Sequence, residues 1–268
     1  PLPPPSNSTC ANAGEPKGVT AGTYPVLEKC DDFTGTKLNS SLWEPHYFWF
    51  PATNTEYISQ NVSVRDGMLD LIAYPKQCPT GYFSGCDLSR HSNYALAQVN
   101  THGLWDTNGR LYAFEKDGLV QVDMKVDAVA GIWSAFWMMT GDGLNNPEID
   151  FEGLTKNGRH TQMYMTIHHK GGGQSQTLDT SVDYSDGKFH TLGIERIHTG
   201  STSTVRWYVN GVLKKTVTGT AAVGKLYIAL QNDIDAADFP NWEEQPNAQT
   251  FSKGPTHVYF KNFRVWTK

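Results

Sequence analysis

Residues 148–152 read Glu-Ile-Asp-Phe-Glu, three acids alternating with two large apolar side chains. A period of two is the signature of a β-strand with unlike faces. Successive strand side chains point to opposite sides, so Glu148, Asp150 and Glu152 share one face and Ile149 and Phe151 the other. No Lys or Arg within the segment offsets the carboxylates. A chain built around this stretch needs a sheet with one packed side and one open side. An isolated acidic alternation is ordinarily a solvated strand face, so its surroundings decide whether the acids have a further use.

Those surroundings are rich in strands. Residues 55–64 and 67–73 flank a turn at Arg65-Asp66-Gly67, and residues 95–101 follow a long Cys-bearing loop. In 119–126, Val120, Val122, Met124 and Val126 alternate with polar partners, and 131–139 is almost wholly apolar. Further strands are expected at 163–169, 189–197, 204–209, 212–217, 226–230 and 257–266, with Asn210-Gly211 as a hairpin turn. In the last of these, Val258, Phe260, Asn262, Arg264 and Trp266 are expected to oppose Tyr259, Phe263 and Val265. With 25 Gly and 14 Pro, turns are abundant and long helices disfavoured. No repeat, linker or shift in composition divides the chain, which points to one all-β sandwich of two antiparallel sheets. Residues 1–25 read as an extended N-terminal arm and residues 26–268 as a single domain.

A net charge of −5 leaves no electrostatic footprint for nucleic acid or an anionic membrane. No apolar run is long enough to span a bilayer. The aromatic-rich, weakly charged balance suits a neutral polysaccharide as partner, and a monomer is expected. The four cysteines allow three pairings, of which local clustering favours Cys10–Cys30 and Cys78–Cys86. Metal binding competes as a reading but lacks a CxxC pair or a His cluster. Disulfides, with sequons at Asn7, Asn39 and Asn61, indicate a secreted, extracellular protein. The chain opens without a signal-peptide pattern, as a processed secreted protein would.

Glutamates four apart on a strand are about 13 Å apart at Cα. Side chains leaning together can close that to the roughly 5–5.5 Å used by retaining glycosidases. A third acid between them raises the pKa of a neighbour and orients it. Glu148-Ile149-Asp150-Phe151-Glu152 resembles the E-x-D-x-E signature of glycoside hydrolase family 16, the lichenase, laminarinase and xyloglucan-transglycosylase group. Residues 131–137, Asp32-Phe33-Thr34-Gly35 with Leu42-Trp43, residues 189–195, 205–212 and 257–266 resemble further family blocks in the same order.

The resemblance implies a β-jelly-roll with a substrate cleft on its concave face, in the form without an inserted residue between the acids. Carried over by position, Glu148 is the nucleophile, Glu152 the acid/base and Asp150 the assisting acid. It implies endo-acting, retaining hydrolysis of a β-linked polysaccharide, first a β-1,3- or mixed β-1,3/1,4-glucan. A β-1,3-galactanase or other galactan hydrolase, a transglycosylase, and a lectin-like carbohydrate-binding module remain as alternatives. Asn146-Pro147, Gly153-Leu154 and Leu230-Gln231-Asn232 depart from the glucanase pattern, so remodelled subsites are expected. No catalytic metal or required cofactor is expected; the resemblance leaves room for a structural calcium on the convex face. Candidate sugar contacts are Trp133 and Trp137, which share strand parity, Trp242 in a polar loop, His168 beside the acids, and Gln231. Core packing is the competing reading for the two strand tryptophans, and a structural histidine for His168. Tyr164 and Thr166 share the parity of His168 and are weaker candidates.

Overall fold

A computed structural model describes residues 10, 13–47, 56–78, 83, 85–103, 110–140, 147–169, 171–238 and 244–268. Its strands are β1 (Val26–Asp31), β2 (Val62–Arg65), β3 (Met68–Pro75), β4 (Tyr94–Ala95), β5 (Ala97–Asn100), β6 (Gly118–Val126), β7 (Ile132–Met139) and β8 (Glu148–Lys156). They continue with β9 (Arg159–His168), β10 (Gln174–Asp179), β11 (His190–Thr199), β12 (Thr202–Val209), β13 (Val212–Thr220), β14 (Tyr227–Ile234) and β15 (Thr256–Thr267). Two short 3-10 turns precede β2 and β4.

Among the described residues one sheet runs β13-β12-β11-β6-β15-β3-β2, with β1 on β15 and β4 on β3. The other runs β10-β9-β8-β7-β14-β5. All of these pairings are antiparallel. This is the expected two-sheet sandwich. Its core is built from the alternating positions: Leu69, Leu71, Val120 and Val122 from one sheet meet Phe136, Ile149, Phe151, Met165 and Ile167 from the other. Burial of each such side chain contributes about 1.5–3 kcal/mol. The Asn210-Gly211 hairpin turn has positive φ at both residues, 50° and 79°, which a twisted two-residue β-turn requires.

The structure corrects the closing strand. Asn262 has φ 52°, and the pairing of β15 with β6 shifts register between Lys261 and Arg264. The bulge reverses the phase, so Val258, Phe260, Phe263 and Val265 all enter the core. Strict alternation had put the last two on the opposite face. β1 and β10 were not anticipated. β10 is an edge strand of mostly polar residues, Gln-Ser-Gln-Thr-Leu-Asp, with no apolar period to announce it.

Both expected disulfides are present, Cys10–Cys30 and Cys78–Cys86. The first ties the arm to β1, and residues after it dock on the outer face of the larger sheet. Lys17 donates through its backbone N to Gln121 Oε1 at 3.0 Å and through Nζ to Thr191 Oγ1 at 2.7 Å. Tyr24 donates to Glu195 at 2.6 Å. Of the sequons, Asn7 lies outside the described residues. Asn61 is 3% exposed and its Nδ2 donates to the Ile72 carbonyl at 3.0 Å, so the folded chain closes it to an oligosaccharide. Asn39 remains partly exposed.

Candidate active site

β8 lies between β7 and β9, and the register is unbroken from Glu148 through Gly153. Glu148 stands between Met139 and His168, Asp150 between Trp137 and Thr166, and Glu152 between Ala135 and Tyr164. Ile149 and Phe151 are fully buried in the core. The three acids therefore project together from the other side of the smaller sheet, with no residue inserted between them. Their company there is His168, Thr166, Trp137 and Trp133.

Packing in this face takes the acids largely out of water. Asp150 is 1% exposed and Glu152 7%. Burial, then the charges of Glu148 and Glu152, drive the Asp150 carboxyl well above its ordinary range. Its carboxyl is hydrogen-bonded to that of Glu148. Burial also raises Glu148, to about 7, against the lowering effect of the Asp150 hydrogen bond. Glu152 is raised to about 8 by burial and the Glu148 charge, while Thr166 Oγ1, donating at 3.3 Å, pulls the other way. Gln176 Nε2 on β10 donates to that same Thr166 hydroxyl at 3.3 Å. The strand thus carries one glutamate whose ionisation its hydrogen bond to Asp150 favours, and another whose raised pKa favours its protonated form.

His168 Nε2 lies 3.4 Å from Asp150 Oδ2, with the His168 side chain 27% exposed. Burial lowers its pKa, so it is neutral beside the acids. Glu148, Asp150 and His168 each bring a ligand-type atom within 4.8 Å of the others.

Trp137 and Trp133 stand on the acid face, as their shared parity with the pairing Trp137 opposite Asp150 requires. Trp133 is half-buried, whereas Trp137 is 5% exposed and donates through Nε1 to Gln231 Oε1 at 3.1 Å. Gln231 faces the same side, but its amide is engaged in the cleft wall. It accepts from Gln98 Nε2 at 2.8 Å and donates to Asp233 Oδ2 at 2.9 Å. Tyr164 faces the same side beside Glu152. Trp242 and Asn146 lie outside the described residues.

Sequence reasoning missed a second polar group in this wall. Asp233, fully buried, accepts from Tyr57 Oη, from Gln231, from the Ile234 amide at 2.7 Å and from His91 Nε2 at 2.7 Å. His91 Nδ1 in turn lies 3.2 Å from Glu56. Tyr47 stacks on Tyr57 with ring centroids 4.4 Å apart and lies 6.4 Å from Trp137. Burial and then the Glu148 charge hold the Tyr47 phenol neutral. Tyr47 and His91 come from segments without period; Tyr57 falls in the expected strand 55–64, of whose described residues only 62–64 lie in β2, and itself makes an isolated bridge to Leu96. Asp233 was legible, because it shares parity with Gln231.

The sequence profile described as glycosyl hydrolases family 16 matches residues 96–253. An endo-1,3-1,4-beta-glycanase of Rhizobium meliloti is 28% identical over 193 residues, 61% of this chain and 37% of that protein. A beta-glucanase of Paenibacillus macerans is 33% identical over 127 residues, 46% of this chain and 51% of that protein. The chain thus spans about a third to a half of these relatives. The catalytic domain of an endo-1,3-beta-glucanase (laminarinase) from Thermotoga petrophila superposes with a TM-score of 0.68 at 22% identity, covering 91% of this chain and 98% of that one. That likeness is one of fold. No helix among the described residues is long and apolar enough to cross a membrane. With the profile covering more than half of the sequence and the acids set on one strand face, the chain belongs to family 16 of the glycosyl hydrolases.

Proposed function

We propose that this protein is a retaining endo-glycosidase that hydrolyses a β-linked glucan, with β-1,3 or mixed β-1,3/1,4 linkages as its substrate class. The observation that carries the reading is the placing of Glu148, Asp150 and Glu152 on one face of β8, with Asp150 and Glu152 buried and Glu148 hydrogen-bonded to Asp150. Glu148, as carboxylate, attacks the anomeric carbon while the glycosidic C–O bond breaks and Glu152 gives its proton to the departing oxygen. Asp150 holds Glu148 in line by its hydrogen bond. In the second half Glu152, now ionised, takes a proton from water. The water oxygen displaces Glu148 from the anomeric carbon, which restores the starting protonation.

Trp133 offers an aromatic face to the sugar, and His168 reaches the same space from β9. The relatives' own names, endo-1,3-1,4-beta-glycanase and beta-glucanase, support a glucan over a galactan. Two disulfides support secretion into an oxidising compartment. A panel of β-glucans and β-galactans, assayed for new reducing ends with the wild type and Glu148→Gln, tests the proposal. Release from a β-glucan that the variant abolishes is expected. Sugar binding without hydrolysis, identical in both proteins, would make the protein a lectin-like module.

A further inference from the structure

Beneath the acid face, inside the sandwich, sits a charge that the chemistry above does not use. Lys215 on β13 is 8% exposed, and its ammonium crosses to the smaller sheet. Its Nζ donates to the carbonyls of Met165 on β9 at 2.7 Å and Ser175 on β10 at 2.5 Å. The same Nζ lies 5.1 Å from the ring centroid of Trp207, its cross-strand neighbour on β12. Trp207, itself fully buried, donates through Nε1 to the backbone carbonyl of Asp150 at 2.9 Å. Lys215, Trp207 and Asp150 thus form a continuous column from the larger sheet to the underside of β8.

A buried ammonium ordinarily sits on a carboxylate, because removing an ion from water is costly. The carboxylates on the flanking strands are already engaged. Asp179 on β10 pairs with Lys214 at 3.5 Å and accepts from Tyr184 and Ser181. Glu195 on β11 takes Arg206 of β12 at 3.2 Å, with Tyr24 and Tyr208. From β9, His168 faces the acids on their cleft side and is neutral. What remains is β8, whose acids lie on the far side of the Trp207 ring, and the field of Lys215 lowers the Asp150 carboxyl there.

We infer that Lys215 is a positioning residue of the acid strand, a buried ammonium that allows one net negative charge to reside on Glu148, Asp150 and Glu152. The inference rests on the catalytic roles proposed for those acids. Three carboxyls crowded into a desolvated face retain their protons unless a positive charge answers one of them. The ammonium supplies that charge from behind, where it neither blocks the cleft nor touches sugar. Trp207 completes the column by tying the Asp150 backbone to the ring over which the ammonium lies. Burial brings the Lys215 ammonium down to about 8, so its charge is present through the neutral range.

The test is the pH dependence of kcat/KM for wild type, Lys215→Met, Lys215→Arg and Glu148→Gln on the glucan found active. Lys215→Met is expected to move the acid limb up by about one pH unit, with kcat/KM about tenfold lower on that side and KM unchanged. Lys215→Arg, which keeps the charge, holds the wild-type limb. A Lys215→Met profile that superimposes on wild type, or falls by one factor at every pH, overturns the inference while an inactive Glu148→Gln leaves the catalytic reading standing. Hydrolysis retained by Glu148→Gln overturns the catalytic reading itself. If Lys215→Met does not fold, the Lys215 Cε resonance is titrated by NMR in wild type and in Glu148→Gln, which removes the carboxylate charge. Coupling is reciprocal, so its transition moves to lower pH in the variant. An unmoved transition overturns the inference.

Discussion

Thr166 stands opposite Asp150 in the strand register, yet its hydroxyl donates to Glu152, 3.3 Å away. The bond favours the ionised form of Glu152 and so opposes the burial that keeps it protonated. Thr166→Val removes the donor at nearly constant volume. The alkaline limb of kcat/KM, set by loss of the Glu152 proton, is expected to move upward by a fraction of a pH unit. A pH–rate profile of the variant checks the sign; a downward shift would contradict the geometry.

Glu152 and Glu148 separate by leaving group. Glu152→Gln removes the proton donor, a loss of about 100- to 10,000-fold on polysaccharide. An aryl glycoside whose phenolate departs without a proton should lose far less in its first step. Glu148→Gln should be inactive on both substrates, since neither can form the covalent intermediate. Steady-state rates on the two substrate types distinguish these outcomes.

The same carboxyl carries a stability signature. The folded pKa of Glu152, about 8, lies above its ordinary value of 4.5. Below 4.5 the group is protonated in both folded and unfolded chains and its contribution is complete. As pH rises from 4.5 through 8, the unfolded chain releases the proton first, so folded-state stability declines. Glu152→Gln lacks the proton to lose. It should match wild type in acid and exceed it near pH 8 by up to about 4 kcal/mol, as read from urea unfolding at both pH values.

Gly153 follows Glu152 and carries a steric requirement. A Cβ there would lie 2.0 Å from His160 Cε1 and 2.7 Å from Ser134 Oγ. His160 is fully buried and holds Ser134 through Nε2 at 3.1 Å, so its ring has nowhere to retreat. Gly153→Ala should cost about 1–3 kcal/mol of stability and lower kcat by shifting Glu152. Adding His160→Ala should recover part of the kcat loss, because it vacates the space the methyl needs. Thermal melts and rates of the single and double variants check both effects.

The acid strand was legible because its two faces obey a period of two, and a packed sheet enforces that period at every step from Glu148 to Gly153. The hairpin at Asn210-Gly211 and the apolar β7 were legible for the same local reasons. Asn262 was not, since a single residue in the left-handed region resets the phase of everything after it. Polar β10 announces itself only through its partner β9. Tyr47, Tyr57 and His91 reach the cleft wall by tertiary packing of irregular segments, which no pattern encodes. Lys214 and Lys215 stand side by side in the expected strand 212–217, and only the opposite sheet reveals that Lys215 is the buried one.

The central claim is a double displacement at the anomeric carbon by Glu148 with Glu152 as acid and then base. Proton NMR of the anomeric region during the first moments of β-glucan hydrolysis tests it most directly, before mutarotation mixes the products. The account predicts that the β-anomer of the new reducing end appears first and the α-anomer later. An α-anomer formed first would show a single displacement by water and contradict it.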